Sequence, residues 1–103
     1  MFAFDEWAEW LASEAERLQR DGFSCRYSDN RHGPESASNP SFGIETETAK
    51  SLGWLRYWKL GTCDFIILDK ASGSETANEA GLDANDKTVT ALFAQFTSLA
   101  GFG

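Results

Sequence analysis

The stretch that decides the fold is Leu52–Asp69, LGWLRYWKLGTCDFIILD. It contains two runs dense in apolar and aromatic residues, Leu52–Leu60 and Cys63–Asp69, separated by Gly61-Thr62. Two such runs around a glycine-containing break predict a β-hairpin. With Gly61-Thr62 as a two-residue loop, Leu60 flanks Cys63, and counting outward sets Trp58 opposite Phe65, Arg56 opposite Ile67 and Trp54 opposite Asp69. The other face then pairs Lys59 with Asp64, Tyr57 with Ile66 and Leu55 with Leu68, and the opposite charges of Lys59 and Asp64 support this register. A three-residue loop with a bulge would shift it.

Upstream, Phe23, Cys25 and Tyr27 alternate with Ser24, Arg26 and Ser28, and Phe42, Ile44 and Thr46 alternate with Gly43, Glu45 and Glu47. Both patterns predict strands with one apolar face. Between them, Asp29–Ser38 is rich in loop-forming residues and holds the chain's one histidine, His32. At the two ends the period changes. Phe4, Trp7, Ala8, Leu11, Ala15 and Leu18 mark an amphipathic helix over Phe4–Asp21, with Gly22 as its stop and Glu16–Arg20 as a helical ion pair. Trp10 falls about 100° from the centre of that stripe. Val89, Leu92, Phe93, Phe96 and Ala100 mark a second helix, with Asp83 or Asn85 as its cap and Gly101 as its stop. Lys70–Ala84 reads as a turn around Ser72-Gly73 followed by a weak strand or loop. The expected fold is therefore α+β: an antiparallel sheet of about four strands with an N-terminal and a C-terminal helix on one face, one domain over residues 1–103.

The chain carries 9 Lys and Arg against 16 Asp and Glu, a formal charge of -7, which repels phosphate backbones and anionic lipid heads. No nucleic-acid or membrane partner is expected, whereas a basic protein would be attracted. The N-terminus lacks the basic and apolar regions of a secretory signal, and no stretch is long and apolar enough to span a bilayer, so a cytoplasmic protein with Cys25 and Cys63 as buried free thiols is expected. Nucleotide-binding glycine loops and the usual zinc spacings are absent, so neither a cofactor nor a metal is expected. His32 lies in a polar loop and both cysteines in apolar strands, so none of the three is assigned a catalytic role. Asp64 and Asp69 flank an apolar strand, and a carboxylate pair is the one enzymatic arrangement left to consider.

The most informative feature is a hairpin with large apolar residues on both faces. A sheet covered on one side should be mainly polar on the other. Here either Trp54, Trp58 and Phe65 or Leu55, Tyr57, Ile66 and Leu68 are left away from the core. That face is a protein-binding surface, or it is covered by residues 70–84, or a second copy of the chain covers it as a homodimer. The candidate binding residues are Tyr57 and Trp10 as aromatic anchors, Glu45, Glu47 and Asp64 as the acidic steering groups, and Lys59 beside Asp64.

One stretch also carries a family likeness. Asn39-Pro40-Ser41, Ile44-Glu45, Gly53-Trp54-Leu55, Trp58, Gly61, Cys63-Asp64 and Leu68-Asp69, after a leading helix with Trp7 and Trp10, resemble the TriTu family of immunity proteins. Such proteins belong to bacterial polymorphic toxin systems. The resemblance implies a non-enzymatic protein that binds and neutralises a co-produced toxin domain. The alternative is a small carboxylate-based enzyme or ligand-binding domain in which Trp54, Trp58 and Asp69 line an aromatic cleft.

Overall fold

Phe4, Ala8, Leu11, Ala15 and Leu18 form the buried stripe of α1 (Phe4–Arg20) in a computed structural model that describes residues 2–32 and 39–102. Asp5 and Glu6 occupy its first turn and Arg17 and Arg20 its last, the arrangement the helix dipole favours. Among the described residues the expected Glu16–Arg20 pair is not formed. Arg17 pairs instead with Glu14 and Asp21. Gly22, at φ +92°, ends the helix, donating its N–H to Gln19 while Phe23 donates to the Leu18 carbonyl. This is the Schellman arrangement, which only a residue tolerant of positive φ completes without strain.

Five strands follow: β1 (Ser24–Asn30), β2 (Ser41–Glu47), β3 (Ser51–Trp58), β4 (Thr62–Asp69) and β5 (Glu75–Asp83). They form one antiparallel sheet in the order β1-β2-β3-β4-β5. The fifth strand is the weak segment after Lys70. It extends the sheet at its edge rather than covering a face, and it is mostly exposed because its small polar side chains have little to bury. Two register shifts against β4 each place an extra residue on β5, bulges of the kind that disfavour pairing with a stranger's edge. The polar segment predicted as a loop starts later than expected, since β1 runs to Asn30, and residues 33–38 lie outside the described part.

The chain closes with α2 (Val89–Ala100). Neither Asp83 nor Asn85 caps it: the N-cap is Thr88, without a side-chain cap bond, and Asn85 Oδ1 accepts the Lys87 N–H at 2.8 Å in the turn before the helix. Gly101, at φ +94°, repeats the α1 ending, with Phe102 donating to the Thr97 carbonyl. The residues after the two helix stops, Phe23 and Phe102, stack with ring centroids 4.6 Å apart. At the opposite end, Asp86 accepts from the Ala3 N–H and from Trp7 Nε1, both at 2.8 Å. The two helices therefore run the same way across one face of the sheet, α1 over β1 and β2, α2 over β3 and β4.

The hairpin register differs from the one the sequence predicts. Trp58 pairs with Thr62, Tyr57 with Cys63, Arg56 with Asp64 and Leu55 with Phe65, across a three-residue loop Lys59-Leu60-Gly61. Gly61 sits at φ +100° and donates to the Trp58 carbonyl, the turn-plus-left-handed-residue geometry of such loops. Burial explains the choice. A two-residue loop would leave a charged residue on each face, Arg56 and Asp69 on one, Lys59 and Asp64 on the other. The observed register buries Leu55, Tyr57, Cys63, Phe65 and Ile67 together, with no charge among them. They meet Phe42 and Ile44 of β2 and Phe93 and Phe96 of α2 in one core. Gly53 completes it, since a Cβ there would stand 2.9 Å from the Phe96 ring.

Candidate functional site

Because both helices cover the same face, the other face of the sheet is left without a helix among the described residues. Its side chains come from the even positions of β3 and β4. Trp54 stands between Glu45 of β2 and Ile66 of β4, Leu52 between Glu47 and Leu68, and Trp58 between Ser41 and Thr62. These residues make an apolar and aromatic ridge on the central strand of the sheet, and Trp54 retains 38% of its exposure. Acidic groups flank the ridge on both sides, Glu45 and Glu47 on β2, Glu75 and Asp83 on β5. An apolar centre with a charged rim is the anatomy of a protein interface.

The polar groups of the face are held in place. Asp64 accepts from Trp58 Nε1 at 2.9 Å and from the Gly81 N–H at 2.8 Å, so it fixes an indole and a bulge of β5 at once. Arg26 pairs with Glu45 at 2.7 Å, and Lys70 pairs with Glu47. Arg56, half-buried, donates to Ser41 Oγ at 2.9 Å and to Ser28 Oγ at 2.7 Å. Burial lowers the pKa of its guanidinium, against the opposing pull of Glu45 and Tyr27.

Of the residues singled out from sequence, Glu45, Glu47 and Asp64 lie on this face and Lys59 is exposed in the loop at its end. Tyr57 does not belong to it. The register correction turns Tyr57 inward, where it is fully buried, stacks on Phe42 at 5.3 Å and donates its hydroxyl to the Val89 carbonyl at 2.9 Å. Trp10 lies on the helix side, half-buried with its ring edge against Trp7 and Phe93. Trp54 and Trp58 take the place given to Tyr57, joined by Leu52, Arg56, Ile66 and Leu68. The signal for them was the glycine as third residue of a three-residue loop, which sets the parity of the whole hairpin. Tyr57→Phe is accordingly expected to lower stability by about 1 kcal/mol, the usual worth of one hydrogen bond. A denaturant melt of the variant checks it, and a change within about 0.2 kcal/mol would mean that the Tyr57 hydroxyl gains nothing net from the Val89 carbonyl.

The carboxylate-cleft reading loses its geometry. Asp64 and Asp69 are an odd number of residues apart on a strand without a bulge, so they point to opposite faces. Asp69 holds the Ser72 N–H and hydroxyl in the β4–β5 turn, which lowers its pKa. Burial pushes the thiols of Cys25 and Cys63 up to about 11 and about 12, which makes both poor nucleophiles. Among the described residues no group of His, Cys, Asp and Glu is placed to hold a metal ion. No described helix is long and apolar enough to cross a membrane.

The fold and this face define a small α+β protein that presents an aromatic, acid-rimmed surface. Residues 5–99 match the model of the family described as Immunity protein TriTu. The chain belongs to that family of immunity proteins. No curated protein and no solved structure matches it.

Proposed function

We propose that this immunity protein acts by binding a cognate, basic toxin domain through the helix-free face of its sheet. The observation that carries the reading is Trp54, exposed at the centre of an apolar ridge between two acidic margins. Trp54, Trp58 and Ile66 supply area that loses water on contact, and the glutamates of β2 and β5 draw in a partner rich in Lys and Arg. The formal charge of -7 acts in the same direction at longer range. The half-wet anchor is thus a tryptophan on the outer face, and Tyr57 serves the core beneath it.

The test is binding of the purified protein to the toxin domain encoded beside it, with association rates followed from low to high salt. A one-to-one complex whose association slows as ionic strength rises is expected, because the Debye length falls from about 10 Å at 0.1 M to about 3 Å at 1 M. Absence of a complex, or association indifferent to salt, would contradict the reading. So would sedimentation of the free protein as a stable dimer with Trp54 shielded, which would make a second copy the occupant of the face.

A further inference from the structure

The helix-free face holds a cation, Arg56, that none of the described carboxylates on that face pairs. Asp64 is the cross-strand neighbour of Arg56 and its natural counter-ion. Both Asp64 oxygens are engaged elsewhere, one by the Trp58 indole and one by the Gly81 N–H. On the other side Glu45 is held by Arg26 at 2.7 Å. Arg56 instead reaches across Gly43 to the hydroxyls of Ser28 and Ser41. Gly43, between Arg56 and Ser28 in the register, puts no side chain in the way, and the β3 backbone excludes one, since a Cβ there would stand 2.2 Å from the Leu55 carbonyl oxygen and 3.1 Å from the Arg56 Cα. Among the described residues, no carboxylate forms an ion pair with Arg56, in a chain where 16 acidic residues outnumber 9 basic ones.

Holding a guanidinium half out of water without a direct ion pair is unfavourable, and a partner's anion would relieve that cost. Neutral hydroxyls occupy two of its five N–H donors, and among the described residues the other three have no partner, enough to receive two oxygens side by side. Beside it opens a cleft of about 480 Å³ lined by Asn30, Asn39, Ser41 and Trp58, and across Arg56 a second of about 330 Å³ runs toward Trp54. We infer that Arg56 receives a single Asp or Glu carboxylate of the toxin, seated between Trp54 and Trp58. This rests on the binding role proposed above and adds its specificity. A partner selected only by charge would be basic throughout, whereas this site asks for one acid at the centre of a basic surface. The neighbouring Glu45 and Asp64 repel a multiply charged phosphate group and leave a singly charged, planar carboxylate as the fitting occupant.

A double-mutant cycle tests it, with Arg56→Gln and Arg56→Lys on this protein and each surface Asp or Glu of the toxin domain changed to its amide. Arg56→Gln is expected to weaken binding on the order of thirtyfold, and Arg56→Lys to recover part of that loss. One toxin carboxylate should give a similar loss alone and no further loss when combined with Arg56→Gln. If Arg56→Gln does not fold, the toxin-side series against the unaltered protein decides, because one of its substitutions must still reproduce the loss. Tight binding that no toxin carboxylate affects, or losses that simply add, would overturn the inference and leave the binding role standing. Failure of the unaltered pair to bind would overturn both.

Discussion

Replacing Phe96 by alanine is expected to lower the unfolding free energy by about 3 to 5 kcal/mol, the usual range for removing a buried aromatic ring. Phe96 has no exposure, packs edge-on against Phe65 with centroids 5.9 Å apart and covers the bare backbone at Gly53. Neither neighbour can fill the gap. The Gly53 side has no side chain to move, and Phe65 is fixed in the pleat between Leu55 and Glu79. The loss therefore includes both the transfer energy of the ring and the cavity left behind. The control is Leu99→Ala on the same helix, where the side chain is 50% exposed and the cost should stay within about 0.5 kcal/mol. Denaturant melts of the two variants give the comparison. Equal, small effects would mean that α2 does not pack on the sheet through the Phe96 face.

Both helices were legible because a helix announces its buried face through spacing alone, and Leu11, Leu18, Leu92, Phe93 and Phe96 are all buried as their spacing requires. Trp7 is only partly so, because its indole N–H turns outward to Asp86. The first two strands were legible for the same reason, through alternation. β5 was obscure because an edge strand of Glu, Thr, Ala, Asn and Gly buries too little to impose a pattern. The hairpin was legible as a hairpin but not in its parity. Both of its faces carry large side chains, so hydrophobicity alone could not choose between a loop ending at Gly61 and one starting there. That single choice moved Tyr57 from the surface to the core and brought Trp54, Arg56 and Trp58 onto one face. Glu45 and Glu47 lie on the helix-free face as their alternation requires, because they belong to β2, whose polar face was already clear.

The second large effect is on binding. Trp54 lies on the third of five strands, between Glu45 and Ile66, where an interface over this face would be driest. Residues in that position carry most of the binding energy, and truncating such a tryptophan costs about 2 to 4 kcal/mol, roughly thirtyfold to a thousandfold in affinity. The loss should appear mainly as faster dissociation, since the acidic margin that steers encounter is untouched. Trp10 provides the contrast, because it is equally aromatic but packs with Trp7 and Phe93 on the helix side. The most direct measurement is the dissociation constant for the toxin domain of Trp54→Ala and Trp10→Ala variants whose spectra match the folded parent. Loss of at least thirtyfold at Trp54, with Trp10→Ala close to the parent, is the expected result. Unchanged affinity at Trp54 together with loss at Trp10 would place the toxin on the helices and contradict the account.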